Sequence, residues 1–245
     1  MSEVQIVTSD GICPSYVYRP SGNGPWPAVL VFMDGIGIRP AMFELAARLA
    51  RHGYFVLLPD LFYRAGPYQA MDAKTVFSDP EQLKLLREKF FPHVSQAKIM
   101  ADTRAFLNYL ASEPDVRAGG IGTTGYCMGG MMSLAAAGTY PEHIVAAASY
   151  HGSRLATDAP DSPHLLASKI KASVYVAGAI EDASFPDDMK ARLEAALSEA
   201  GVQHRIETYS AKHGWVLSDT PTHDAAASER HWQTLLALLD ESLRA

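Results

Sequence analysis

Cysteine is scarce in this chain. Of 245 residues only Cys13 and Cys127 carry a thiol, and they lie far apart with no CxxC spacing, which excludes a disulfide framework and a zinc ribbon. Long apolar runs are missing too: none approaches the ~18 residues a membrane helix needs. The opening MSEVQIVTSDG has neither the basic nor the apolar stretch of a leader, so a cytoplasmic protein without membrane association is expected. Positive charge is in deficit, with Lys and Arg totalling 21 against 27 Asp and Glu, a net charge of -6. No local basic cluster offsets it, and nucleic acid is not an expected partner. The apolar fraction of 48% and charged fraction of 20% belong to a compact globular chain rather than a disordered or coiled-coil one.

No repeat, low-complexity tract or linker divides the sequence, which reads as one domain over 1–245. VQIVT (4–8) and YVYR (16–19) flank a turn-like Asp10-Gly11, the pattern of an antiparallel hairpin. AVLVFM (28–33) is a continuous apolar run, as expected of a strand buried on both faces. Pro40 suits a first helical turn, 42–53 reads as a helix ending at Gly53, and 54–60 as the next strand. Strands follow near 120–125, 145–150, 173–178 and 204–209, and helices near 96–111, from 128, and over 187–201. The last segment, 223–244, puts Trp232, Leu235, Leu236, Leu239 and Leu243 on one stripe. Alternating strands and helices imply an α/β fold, a mostly parallel sheet with helices on both faces. Residues 61–95 are less regular and read as a cap over the C-terminal strand ends, where such sheets bind ligands. The polar residues expected there are Asp34, Asp60, Cys127, His151, Asp182 and His213.

GGIGTTGYCMGGMMSLAAAG (119–138) is the most informative stretch. Gly120-x-Gly122-x-x-Gly125 matches a dinucleotide fingerprint, but that motif must follow a buried strand, and ASEPDVRA (111–118) is polar with a proline. The better reading makes GGIGTTG the strand and Gly125-Tyr126-Cys127-Met128-Gly129-Gly130 a nucleophile elbow with cysteine at its tip. A strand that turns sharply into a helix leaves room only for small residues two before and two after the nucleophile, and it sets the thiol at a helix N-terminus that favours thiolate. Further on, GAIEDASFP (178–186) closes a strand with two acids. Asp182 is favoured as the orienting acid because Pro186 lies four residues on, and Glu181 stands as the alternative. His213 follows a strand and precedes Gly214 and Trp215. The order Cys127, Asp182, His213 is the nucleophile, acid and base order of α/β-hydrolases.

With MDGIGIRP (33–40), PDLFYR (59–64), GYCMGG (125–130), the 178–186 acid loop and HGWVLSD (213–219), the chain resembles the dienelactone hydrolase (carboxymethylenebutenolidase) family of α/β-hydrolases over nearly its full length. The resemblance implies a Cys-His-Asp triad without metal or organic cofactor and an oxyanion hole of two backbone amides, Gly35 and Met128. It implies a small ester or lactone as substrate, split through a thioester intermediate; a monomer or homodimer is expected. Two departures stand out. Where the family has a glutamate that helps to generate the thiolate, this chain has the shorter Asp34, and where the family has a carboxylate-binding arginine four residues after the histidine, it has Leu217. Arg64 and Arg87 are the candidates to replace that charge, with a surface role as the alternative, and Tyr63, Tyr68, His151 and Trp215 are candidates to shape an apolar pocket, with core packing as the alternative for each. A thioesterase and a silent hydrolase fold that binds a small ligand are the alternative readings.

Overall fold

The structure, a computed structural model, describes residues 1–244. Its centre is one eight-stranded sheet in the order β1-β2-β4-β3-β5-β6-β7-β8. β1 (Ser2–Thr8) and β2 (Gly11–Tyr18) form the expected hairpin, although β2 starts earlier than the sequence suggested, because Thr8 pairs directly with Gly11 across a two-residue turn. β2 runs antiparallel to β4 (Phe55–Pro59), and every later pairing is parallel. The parallel strands are β3 (Ala28–Phe32), β4, β5 (Ile121–Tyr126), β6 (Ile144–Tyr150), β7 (Ser173–Ala179) and β8 (His204–Tyr209). All residues of β3 and β4 are buried, as their unbroken apolar runs require of strands covered on both faces.

β5 shows how both faces are covered. Successive side chains of a strand point to opposite faces. Position 122 packs under Leu239 of α6 (Ala225–Leu243), so closely that only glycine fits there, whereas the Thr123 hydroxyl bonds that of Ser133 in α4 (Met128–Thr139) at 2.8 Å. The helix α1 (Pro40–Arg51) lies beside α6, with the Arg48 guanidinium 4.3 Å over the Trp232 ring. α3 (Gln96–Ser112) lies on the other side with α4 and α5 (Asp187–Glu199). Of the predicted terminal stripe Trp232, Leu235, Leu239 and Leu243 are buried and Leu236 is half-buried. Among the described residues no helix is long and apolar enough to cross a membrane.

Residues 61–95 hold only short pieces: a 3-10 turn at Tyr63–Ala65, the helix α2 (Pro80–Leu85) capped by the Asp79 side chain, a π turn at Leu86–Phe90 and a further 3-10 turn. They are pinned to the body by the buried Ala73, Val76, Leu86, Phe90 and Val94. A 3-10 segment at Pro163–Lys169, packed against α4 and α5, was not anticipated.

Candidate active site

Cys127 is the single residue between β5 and α4, and it makes that turn at φ +53°, ψ -115°. The flanking glycines are there for space. A Cβ on Gly125 would stand 1.9 Å from the carbonyl oxygen of Gly129, and one on Gly129 would stand 2.2 Å from that of Phe32. Both obstacles are backbone and cannot rotate away. A left-handed non-glycine residue costs about 1–3 kcal/mol and persists only where its surroundings fix it. Four hydrogen bonds do so here: the Cys127 N–H donates to the Tyr150 carbonyl and to His151 Nδ1, each at 3.2 Å, and the Cys127 carbonyl accepts from the amides of Gly130 and Ser153, each at 3.1 Å.

β7 and β8 deliver an acid and a base to the same edge. His213 Nδ1 lies 2.8 Å from Oδ2 of Asp182, and the other carboxylate oxygen accepts from the Ser184 amide at 2.9 Å and the Ser184 hydroxyl at 2.6 Å. Of the two acids left open by the sequence, Asp182 is the one that meets the histidine; Glu181 is exposed and has a left-handed backbone at φ +52°. Burial works against the charged form of Asp182, yet the bonds to His213 and Ser184 bring its pKa down to about 2. Burial likewise opposes charge on His213, and the bonds to Asp182 and Cys127 overcome it, raising the imidazole to about 10. For Cys127, burial pushes the thiol up, the hydrogen bond and charge of His213 outweigh it, and the net shift is downward. With Nδ1 held by Asp182, Nε2 is the ring nitrogen left for the thiol. The thiol also has the Ser153 hydroxyl at 3.5 Å. The second cysteine differs entirely: Cys13 is a buried residue of β2, and desolvation pushes it up to about 12.

The amides of Gly35 and Met128 donate to no other group of the described residues, and both residues adjoin the thiol, Met128 in sequence and Gly35 across the cleft. Asp34 requires a correction. Both its oxygens are engaged by the guanidinium of Arg39, at 2.7 and 2.8 Å, and no hydrogen bond joins it to Cys127; its charge acts to raise the thiol pKa, not to lower it. An arginine five residues away, at the start of α1, satisfies the short carboxylate before it can reach the sulfur.

Cys127, His213 and His151 open into a cleft of about 310 Å³, whose remaining wall comes from Asp34, Gly35 and Ile36, from Ala73, Lys74, Phe77 and Ser78 of the 61–95 excursion, and from Gly214 and Thr220–Thr222. Of the expected pocket residues only His151 lines it. Arg64 is turned away, forked onto the buried Asp102 of α3 at 2.7 and 2.8 Å and onto Asp10 at 2.8 Å. Tyr63 bonds Asp102 and Thr8, and Tyr68 bonds Asp60 and the Ile38 amide, so both tyrosines and Asp60 brace the base of the excursion. Trp215 is fully buried, stacked on Tyr209 at 5.3 Å between ring centroids and edge-on to His151 at 4.9 Å. Arg87 is exposed and lines no part of the cleft. Ser153, Phe77 and the threonines were missed, since they lie in loops without periodicity. Among the described residues no cluster of His, Cys, Asp and Glu is arranged to hold a metal ion.

Comparison with known proteins agrees with this arrangement. The model of the dienelactone hydrolase family matches residues 13–243. A candidate carboxymethylenebutenolidase of Synechocystis sp. is 28% identical over 94% of this chain and 92% of its own, and a carboxymethylenebutenolidase of a Pseudomonas sp. is 33% identical over 45% of this chain and 44% of its own. The solved structure of a candidate dienelactone hydrolase from Klebsiella pneumoniae shares the fold, with a TM-score of 0.83 at 24% identity over 97% of this chain and 96% of that one. A sheet with one antiparallel strand, β2, a strained residue between β5 and α4, and a family match running almost from end to end converge on one conclusion: this chain belongs to the dienelactone hydrolase family of α/β-hydrolases.

Proposed function

We propose that the protein is a cytoplasmic cysteine hydrolase that cleaves small carboxylic esters, lactones or enol lactones through a thioester intermediate. The observation that carries the reading is the convergence, in one cleft, of a thiol with lowered pKa at a helix N-terminus and an imidazole with raised pKa held by Asp182. Such opposed shifts mark a thiolate–imidazolium pair, the charge state a nucleophile and a general acid need at the same pH. The two free thiols fit a reducing compartment.

In the first half of the cycle Cys127 Sγ attacks the carbonyl carbon. A C–S bond forms, the carbonyl π pair moves onto oxygen, and that oxyanion takes the N–H groups of Gly35 and Met128. The imidazolium of His213 gives its Nε2 proton to the departing alkoxide as the C–O bond breaks. In the second half His213 takes a proton from water, hydroxide adds to the thioester, and the tetrahedral intermediate expels the thiolate. Asp182 holds the imidazole by Nδ1 throughout. An oxyanion donor is worth about 10²–10³ in rate and a positioned acid–base about 10²–10⁴. No step of this cycle calls for a metal or organic cofactor. Alkoxide and enolate leave more readily than an amide nitrogen, which favours esters over peptides.

The chain acts in this reading as a single domain in which residues 61–95 form a cap, because Ala73 and Phe77 supply part of the cleft wall. The test is hydrolysis of a short-chain p-nitrophenyl ester and of a dienelactone by the wild type and Cys127→Ala. Turnover present in the first and absent in the second supports the reading; equal turnover in both refutes it.

A further inference from the structure

The guanidinium of Arg39 is buried and has all its N–H groups engaged. Nη1 donates to Asp34 Oδ1 at 2.7 Å and to the Gly37 carbonyl at 3.1 Å. Nη2 donates to Asp34 Oδ2 at 2.8 Å and Asp219 Oδ1 at 3.2 Å, and Nε to Asp219 Oδ2 at 2.7 Å. Its two carboxylates come from different loops. Asp34 sits after β3, immediately before Gly35, whereas Asp219 sits after β8, in the loop that carries His213. In the sheet β5, β6 and β7 lie between those strands. One side chain therefore ties together two loops that the sheet itself leaves apart.

Each loop is fixed locally to the end that Arg39 grips. The Asp34 side chain also accepts the Ile36 amide at 3.0 Å, and its carbonyl accepts from Gly37 N–H at 3.3 Å across a turn that needs Gly37 at φ +96°. The peptide unit that presents the Gly35 N–H is thus enclosed by groups bonded to the guanidinium. On the other side Thr220, next to Asp219, donates to the Gly214 carbonyl at 2.8 Å, and Thr222 donates to the His213 carbonyl at 2.7 Å.

We propose that Arg39 is a positioning residue that sets the Gly35 amide against the His213 loop, so that the oxyanion donor and the acid–base group meet the same substrate carbonyl. The proposal rests on the cysteine-hydrolase reading above. Its physical basis is that an oxyanion donor works only where the charge develops, and that a displacement of ~1 Å can cost about 10²-fold in rate. A planar fork fixes distance and angle to two carboxylates at once, which a lysine ammonium does not. The contacts from Cys127 to His213 and from His213 to Asp182 do not pass through Arg39, and both Arg39→Lys and Asp219→Asn leave a cation beside Asp34, so thiolate formation is little changed in these variants.

The test uses Arg39→Lys, Asp219→Asn and Asp219→Glu with Cys127→Ala as control, on p-nitrophenyl acetate, with kcat referred to the amount of Cys127 that iodoacetamide labels. In Arg39→Lys and Asp219→Asn kcat falls about 10–100-fold, KM moves by less than about threefold, and the alkylation rate of Cys127 stays within about twofold of wild type. Asp219→Glu recovers most of the loss. Asp219 is about a third exposed and its substitution leaves the Arg39–Asp34 fork in place, so this variant carries the test even if Arg39→Lys fails to fold. A kcat per labelled thiol that is unchanged in Asp219→Asn overturns the proposal, as does a rise in KM at constant kcat. If Cys127→Ala is inactive while the Asp219 variants are normal, the positioning role falls and the hydrolase reading stands; if Cys127→Ala still turns over, both fall.

Discussion

His213 and Asp182 meet Nδ1 to Oδ2 at 2.8 Å, while the adjacent acid, Glu181, is exposed at a left-handed backbone position. The tetrahedral cycle needs the imidazole in one orientation and one tautomer, and only Asp182 is placed to impose them. Asp182→Asn should therefore lower kcat by about 10²–10⁴-fold, whereas Glu181→Gln should stay within about threefold of wild type. Steady-state kinetics of the two variants decide the matter, and the reverse ranking would move the acid to Glu181.

The two cysteines offer an internal comparison. Cys127 has its thiol lowered by His213, and Cys13 is pushed up to about 12 by burial. Thiolate is the species that alkylates. Iodoacetamide at neutral pH should label the folded protein once, at Cys127, as peptide mapping would show. In His213→Asn the lowering influence is gone and burial remains, so the inflection of labelling rate against pH should move upward.

The acid–base pair also links stability to pH. Asp182 is held at about 2 against an ordinary 3.8, so its contribution is present above pH 3.8 and is lost as pH falls through about 2. His213 is raised to about 10 from an ordinary 6.5, so its contribution is full below pH 6.5 and is lost as pH rises through about 10. Both act fully only between those ordinary values. In urea unfolding, the stability gap between wild type and Asp182→Asn should be widest near roughly pH 5 and narrowest near roughly pH 9.5. A gap that grows with pH would contradict the pairing.

Space, not backbone freedom alone, fixes the elbow glycines. Gly125→Ala and Gly129→Ala each drive a Cβ into backbone at 1.9 and 2.2 Å, and should cost about 1–3 kcal/mol or more together with most of the activity. Gly35 differs, because a Cβ there meets only the Phe91 ring at 3.6 Å, an ordinary contact. Gly35→Ala should fold with a melting temperature near that of wild type, since the proposed role of this residue lies in its amide.

Most of the sheet was legible because β3 and β4 are unbroken apolar runs and because the small residues flanking Cys127 after a strand carry the steric signature of an elbow. Cys127, Asp182 and His213 were candidates from chain order and strand ends, and the structure places them at one edge of the sheet. The cleft wall was not legible. Arg64 and Tyr63 stood in the right segment, but the buried carboxylate of Asp102, 38 residues from Arg64, turns them away from the cleft. Trp215 lies two residues after the histidine, yet its ring turns inward onto Tyr209. Asp34 stood at the expected position and was claimed by Arg39, whose place before Pro40 read only as a helix start. In each case a specific partner, near or far in the chain, chose the direction of a side chain, and hydrophobic periodicity carries no record of such partners.

The fork from Arg64 to Asp102 brings the start of the 61–95 excursion against α3, the helix into which the excursion runs. A loop whose ends are already fastened together adds little when it grows, about 0.6 kcal/mol for each doubling of length. The stretch between the fork and α3 can therefore change length at its exposed positions at little closure cost and so refit the mouth of the cleft, as long as the buried Ala73, Val76, Leu86, Phe90 and Val94 that pin it to the body are kept.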